Sequence, residues 1–362
     1  MISDLDRLFL DRTYELAARG IGNTAPNPPV GALVARDATV LGEGYHHRAG
    51  EAHAEVNALS QAGNASGATL YVSLEPCKHA GKTPPCTQAI LASRVSRVVV
   101  GATDPTSYGG GAHALRERGV DVDVAGDDAA RELVAIFAGS VERGRCYVAL
   151  KMAMSLDGYV ASRPGVAEWI TSEEARLYVR DLRCAYDAVM VGAGTVRIDD
   201  PQLTVRPAAQ RLRAFVRIVL CESEGVPADR RIFTSVPGYA RTIVLAPAGG
   251  RARFSALESV ADVLYVGDAD DDELDLERAL QALRTRGIAS VLCEGGPTLA
   301  ARLIGHGLVD KIYWAIAPIV LGGEAAVPVL AGTELDGGPR RLRFERLERV
   351  GSDAMLSGRF DV

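Results

Sequence analysis

The sequence predicts two α/β domains in tandem, and three observations carry that expectation. Short apolar, strand-like runs alternate with amphipathic helical segments along the chain. The rhythm of the alternation changes near residue 145. At 362 residues the chain is long for one domain and comfortable for two. The expected division is 1–145 and 146–362, with no linker rich in Pro, Gly or Ser between them.

Leu5, Leu8, Phe9, Leu16 and Ala17 recur at helical spacing and stop at Gly20, which predicts an opening amphipathic helix. "VGALVAR" and "TLYVSL" read as buried strands around a helix that starts near His53. "RVVVGA" and "VDVDVA" continue the alternation, with helices near 86–93 and 112–118. "DDAARELVAIFAGSVERG" supplies the last helix of the first domain. Beyond it, "YVALKMAMSLDGYV", "DAVMVGAG", "VRIVL", "TIVLA", "DVLYV", "SVLCEGG" and "KIYWAIAP" read as strands. Helices are expected at "DDELDLERALQALRTRG" and "TLAARLIGHG", and two antiparallel strands, "RFERLERVG" and "AMLSGRF", close the chain.

Composition narrows the function. With 48% hydrophobic and 24% charged residues, this is an ordinary globular sequence. A net charge of -6 gives no electrostatic footprint for nucleic acid. The acidic, amphipathic N-terminus resembles neither a signal peptide nor a membrane span, so no membrane partner is expected. The six cysteines lack the spacing of a secreted disulfide framework, which points to the cytoplasm. A close cysteine pair in that compartment is expected to hold a metal.

Such a pair exists. "HAEVNAL" begins at His53, and "LEPCKHAGKTPPC" brings Cys77 and Cys86. Residues two apart on a regular helix face different ways, so His53 and Glu55 converge only at a helix entrance. Cys86 follows Thr-Pro-Pro, a helix start, where the dipole favours the thiolate. One histidine and two cysteines leave the fourth tetrahedral position to water, as in a catalytic zinc site. Zinc so held makes water acidic enough to supply hydroxide near neutral pH. Glu55, beside the metal but not a ligand, is then the proton shuttle to a leaving amine. H-x-E with P-C-x-x-C is the signature of zinc nucleobase deaminases. Here eight residues, not two, separate the cysteines. The alternatives are a structural zinc with His79 as fourth ligand, which would leave Glu55 without a purpose, or two core cysteines.

"PNPPVGALV", "GEGYHHRAGEAHAEVNAL" and "LEPCKHAGKTPPC" resemble the deaminase half of the bifunctional riboflavin-biosynthesis deaminase–reductases, a family in which the longer cysteine gap is usual. "LKMAMSLDG", "EWITSEEAR", "VGAGTVRIDDPQLTVR", "EGGPTL" and "APIVLGG" resemble its reductase half, so the likeness runs over essentially the whole chain. It implies a cytidine deaminase-like α/β/α domain followed by a dihydrofolate reductase-like α/β domain. It also implies zinc on His53, Cys77 and Cys86, with Glu55 as catalytic proton shuttle. Asn27, His46, His79, Lys82 and Asp104 would line the pyrimidine and phosphate pocket. Lys82 suits a phosphate as a flexible point charge, its plain alternative being an exposed loop lysine.

Read alone, "VGAGTVRIDDPQLTVR" and "CEGGPTLAARL" place glycines after strands, where backbone N–H groups can meet a phosphate. The resemblance implies NADPH contacts at Ala153, Trp169, Thr195, Asp199 and along Gly296, Pro297, Thr298, Leu299, Ala300, Ala301 and Arg302. Trp169 as a core aromatic is the alternative. Substrate contacts are implied at Ala167, Arg183, Leu203, Arg206 and Glu294, the two arginines suiting a ribose phosphate. Lys151 is expected to deliver a proton or stabilise charge, with Glu294 orienting the sugar. This rests on both being ionisable groups at the strand ends nearest the cofactor. The chain departs from the family pattern in four places: Thr106 for asparagine, Ala167 for serine, Cys221-Glu222 in the stretch after a strand, and Ile319 for lysine.

The implied activity is hydrolytic deamination of a diaminopyrimidinone ribosylamine phosphate, then NADPH reduction of its ribosyl group to ribityl. The expected partner is thus a phosphorylated pyrimidine substrate, and the protein is expected to form a homo-oligomer. The competing readings are a nucleotide or tRNA deaminase with an accessory domain, and a non-catalytic binding protein.

Overall fold

Unbroken apolar runs in a strand mean that both faces of the sheet are covered. In "GALVAR", Ala32 and Val34 join one core with Leu70, Val72, Val98 and Val100. Leu33 and Ala35 join a second with Phe9, Leu10, Tyr71 and Val99. The computed structural model describes residues 2–81, 83–205, 211–332 and 338–361. The chain divides into two units, Met1–Arg143 and Gly144–Val362.

The first unit runs α1 (Asp4–Ala18), β1 (Gly31–Arg36), β2 (Thr39–Tyr45), α2 (Ala54–Ala62), β3 (Thr69–Leu74) and α3 (Cys86–Ser93). It continues with β4 (Arg97–Ala102), α4 (Gly111–Glu117), β5 (Asp121–Val124) and α5 (Asp128–Arg143). Its five-stranded sheet has the order β2-β1-β3-β4-β5, with β1 antiparallel to both neighbours and β3, β4 and β5 parallel. Helices α1 and α5 pack on one face; α2, α3 and α4 contribute to the core on the other. This is the α/β/α layering expected.

Strand β2 was not among the expected strands, because "TVLGEGY" carries glycines where a strand normally shows side chains. The packing explains them. A Cβ on Gly42 would stand 2.5 Å from the Ala58 carbonyl, and one on Gly44 2.6 Å from the Ala58 nitrogen. Only glycine lets α2 lie this close to β2, and that approach sets the height of the helix entrance at His53.

Asp6 anchors the first helix. It forms a capping box with Ser3, accepts from the Tyr71 hydroxyl at 2.9 Å, and pairs with Arg97 at 2.8 Å. Burial raises its carboxyl; the Arg97, Ser3 and Tyr71 donors outweigh that and hold it well below the usual carboxylate range. The stabilisation is therefore complete above the unfolded-state value of about 3.9 and is lost as pH falls through the lower folded value. Asp6→Asn should cost roughly 3 kcal/mol at neutral pH, the low end for a broken buried pair, because Arg97 keeps Asp123. Urea melts at neutral and acid pH would show the deficit shrinking as the medium is acidified; an equal deficit at both would refute the pairing.

The second unit runs β6 (Tyr147–Ser155), β7 (Tyr159–Ala161), α6 (Glu173–Arg183), β8 (Ala188–Gly192), α7 (Ala193–Asp199) and β9 (Val216–Leu220). Then come β10 (Ile243–Pro247), α8 (Arg251–Phe254), β11 (Asp262–Val266), α9 (Leu276–Thr285), β12 (Ser290–Cys293) and α10 (Pro297–Gly305). It ends with β13 (Lys311–Ala317), β14 (Val327–Pro328), β15 (Leu342–Val350) and β16 (Asp353–Phe360). The nine-stranded sheet has the order β11-β10-β9-β8-β12-β6-β13-β16-β15. It is parallel as far as β13 and antiparallel over the last two strands. Leu150, Met190, Ile218 and Leu245 face one core, Val189, Val191, Val219 and Val244 the other.

Helices α6 and α7 and strand β14 were not expected as elements, and β7 was expected only as the tail of the run that forms β6. Only Ala175 and Val179 of α6 are buried, too thin a stripe to stand out in the sequence. Among the described residues no helix is long and apolar enough to cross a membrane.

Candidate active sites

His53 is the N-cap of α2, with extended backbone at φ -73° and ψ 164°, and Glu55 lies in the first turn, only 3% exposed. Cys86 opens α3 directly behind Pro85. Cys77 sits in the loop after β3, where its Sγ accepts from the Cys86 N–H at 3.3 Å. The candidate ligand atoms of His53, Cys77 and Cys86 lie within 4.8 Å of one another. His53 presents Nδ1 to the sulfurs, 3.2 Å from Cys86 and 3.6 Å from Cys77. Its Nε2 is 3.2 Å from the Thr83 hydroxyl. Were Nδ1 given to a metal, Nε2 would carry the proton and donate to the Thr83 hydroxyl, the usual outer support of a metal-binding histidine.

The Cys86 thiol, followed by His53, pushes the Cys77 thiol down from its ordinary value. The same hydrogen bond and burial push Cys86 up. Burial also pushes Glu55 up. Two sulfurs and an imidazole converging on one point are the donor set zinc prefers, so these residues fit that metal. His79 is not part of the group: it is exposed and its ring lies 4.9 Å from that of Tyr108. The fourth-ligand alternative thus finds no support in its position.

His46 is buried, with Nδ1 3.1 Å from the Ala52 carbonyl and Nε2 3.0 Å from the Asn27 amide nitrogen. A carbonyl only accepts, so Nδ1 carries the proton and Nε2 accepts from Asn27. Burial pushes the His46 pKa down, favouring this neutral form. Both ring nitrogens are thereby engaged, and the amide of Asn27 is held in one orientation. Asp104 accepts from the N–H and hydroxyl of Thr106, so the departure from asparagine turns residue 106 back onto its own loop. Lys82 lies outside the described residues.

Glu75 and Thr83 escaped the sequence reading. The buried Glu75 carboxylate accepts from the Asp104 N–H at 3.1 Å and the Ala112 N–H at 2.8 Å, tying two loops together. Its place in "LEPC", next to a candidate ligand, was the available signal.

In the second unit a cavity of about 1190 Å³ opens where the ends of β8, β9 and β12 meet α10. Lys151, Ala153, Ala167, Trp169, Thr195 and Asp199 line it. So do Arg183, Leu203 and Glu294, together with Gly296, Pro297, Thr298, Leu299 and Arg302. Gly296 caps α10, leaving the first-turn N–H groups available to an anion. These features fit a dinucleotide. Arg206 lies outside the described residues.

Several expectations need correction. Ala300 and Ala301 face the core rather than the cavity, because the turn of α10 carries them to its covered side. Lys151 stands in the middle of β6, not at its end. Trp169 is 83% exposed, with the Arg176 guanidinium 5.0 Å from its ring centre, so it is no core aromatic.

Arg183 and Glu294, both expected to contact substrate, pair with each other at 2.5 and 3.0 Å, and Arg183 also donates to the Thr204 carbonyl at 2.8 Å. Burial raises the Glu294 carboxyl, but Arg183 and Lys151 hold it below its ordinary range. Burial pushes the Lys151 ammonium down, opposed by Glu294. Glu222 pairs with Arg302 at 2.5 Å, so this departure joins β9 to α10.

The first unit thus defines a zinc-type deaminase, and the second a reductase with a dinucleotide-sized cleft. Residues 3–102 match the cytidine and deoxycytidylate deaminase zinc-binding region, and residues 146–356 match the RibD C-terminal domain. The chain belongs to the RibD family, the bifunctional deaminase/reductases of riboflavin biosynthesis, which use zinc and NADPH. It is 36% identical to RibD of Bacillus amyloliquefaciens, over 98% of this chain and 96% of that one. It is 38% identical to RibD of Escherichia coli, over 97% and 98%. A solved diaminohydroxyphosphoribosylaminopyrimidine deaminase/5-amino-6-(5-phosphoribosylamino)uracil reductase from Thermotoga maritima superposes with TM-score 0.85 at 34% identity, covering 99% of each chain.

Proposed function

We propose that residues 1–145 deaminate a diaminohydroxyphosphoribosylaminopyrimidine and that residues 146–362 reduce the resulting phosphoribosylaminouracil. The observation that carries this reading is the convergence of His53, Cys77 and Cys86 beside a buried, non-ligating Glu55. When bound, zinc supplies the Lewis acidity that acidifies water. Glu55 takes the proton of the attacking water and passes it to the departing amine, a task its burial-raised pKa suits. Thr83 holds the His53 ring, and His46 fixes Asn27 against the pyrimidine edge.

In the second unit, NADPH supplies the hydride when bound. The α10 N-terminus receives a phosphate, with Ala153, Trp169, Thr195, Asp199 and Arg302 along the cofactor. Glu294, held by Arg183, orients the sugar. Lys151 hands a proton to the ring oxygen as the ribose opens; its lowered pKa makes it a better acid than an ordinary lysine. Adding the pyrimidine substrate with NADPH, and following ammonia and cofactor absorbance together, tests the whole scheme. Ammonia should appear first and NADPH oxidation should match it mole for mole; reduction without ammonia release would sink the order of steps.

The chain is further proposed to act in the cytoplasm as a homo-oligomer. All six cysteines are free, as a reducing compartment requires. β15 is an edge strand that exposes Phe344 and Leu347, a surface suited to a second copy. Light scattering should give a mass that is a multiple of 38.3 kDa; a monomer at working concentration would refute the oligomer.

A further inference from the structure

We infer that Arg217 and Tyr239, neither of which lines the cavity, are positioning residues for reduction, tethering loop 202–205 so that Arg183 and Glu294 stand correctly toward the sugar. The inference rests on the functional reading above. β9 is a fully buried strand, and its other residues, Val216, Ile218, Val219 and Leu220, are all apolar. At Arg217, 1% exposed, packing alone calls for another aliphatic.

Among the described residues the partners of this guanidinium are carbonyls and a ring, not a carboxylate. Nη2 donates to the Thr234 carbonyl at 2.9 Å, and Nη1 reaches the Gln202 carbonyl at 3.5 Å. Nε finds no partner among the described residues. The guanidinium carbon lies 5.5 Å from the centre of the Tyr239 ring, whose other side of contact is the edge-on ring of Phe215. Burial disfavours the charged form of Arg217. A lone buried cation of this kind is costly, and an apolar residue of similar volume would be the stabler choice for the strand.

What it secures is a loop that touches the site. The Tyr239 hydroxyl accepts from the Val205 N–H and donates to the Val205 carbonyl. Gln202 and Val205 are thus held from below, on either side of Leu203 and Thr204. Leu203 has φ +52°, a left-handed conformation that a branched aliphatic residue avoids unless its surroundings impose it. Gln202, Leu203 and Thr204 all line the cavity. The Thr204 carbonyl takes a hydrogen bond from Arg183, which grips Glu294. Contact therefore runs unbroken from the buried strand to the carboxylate proposed to orient the sugar.

Tyr239→Phe removes only the hydroxyl, and Arg217→Met suits the apolar strand. In the full-length zinc-loaded enzyme each should raise KM for the phosphoribosylaminouracil about tenfold, with kcat nearly unchanged. NADPH affinity, read by fluorescence titration, and deamination should stay at wild-type values. Arg217→Lys should recover part of the loss. Amide hydrogen exchange at Val205 should accelerate in Tyr239→Phe, a readout independent of turnover. A lowered Tm with KM unmoved would reduce both residues to packing and overturn the inference. So would unchanged exchange at Val205. A wild-type enzyme that releases ammonia but never oxidises NADPH would instead overturn the functional reading, while exchange at Val205 would still decide the tether.

Discussion

Cys86→Ser should purify with well under one zinc per chain and deaminate about a thousandfold more slowly, while NADPH-linked reduction by the same chain continues at the parental rate. The size follows from coordination chemistry. Losing a mere outer support of a metal ligand typically costs about 10–100-fold, so losing one of only three protein donors costs more. Cys86 also opens α3 and donates its N–H to Cys77, so a serine there keeps the backbone contact while removing the sulfur. Metal analysis and ammonia release on the same sample check the prediction. Glu55→Gln supplies the contrast: full zinc occupancy with deamination equally suppressed, because the proton shuttle alone is gone. A Cys86→Ser enzyme that keeps both zinc and activity would show that the metal sits elsewhere.

The second large effect is on the other reaction. Lys151→Met should lower reduction by about 10²–10⁴, the range for losing a general acid, and leave deamination intact. Met matches the lysine stem in volume and removes the buried charge, so the fold of β6 should survive; retained NADPH binding would confirm it. The pH profile adds a second check. Burial lowers the Lys151 pKa, so the protonated acid is lost, and reduction declines, as pH rises through a value below the ordinary lysine range. A profile flat through the alkaline region, or a normal rate in the Met variant, would remove Lys151 from the mechanism.

Some of this was legible in residue order because it is local. The period of apolar residues marked the core strands, and consecutive apolar positions such as Ala32–Ala35 marked a sheet covered on both faces. The ligand types and the proline before Cys86 announced a helix-entrance metal site, since capping preferences act within a turn. Elements with little apolar surface escaped. β2 hid behind Gly42 and Gly44, whose purpose is visible only against Ala58 of α2. α6 hid because little more than Ala175 and Val179 is buried.

The site residues divide along the same line. His53, Cys77 and Cys86 are chemically unusual enough to name themselves. The contacts that engage Arg183, Glu294, His46 and Arg217 are not, because a charged or polar side chain in sequence does not say who will satisfy it. Arg183 and Glu294 are 111 residues apart in the chain and 2.5 Å apart in space.

Residue order by itself determined the two α/β units, the candidate zinc donors and the candidate acid beside them, because donor chemistry and apolar period are properties of neighbours along the chain. Tertiary structure decided which polar groups remain available to a ligand and which are consumed by one another. Hydrogen bonds are saturated by proximity in space, and only the packed sheets bring those partners together.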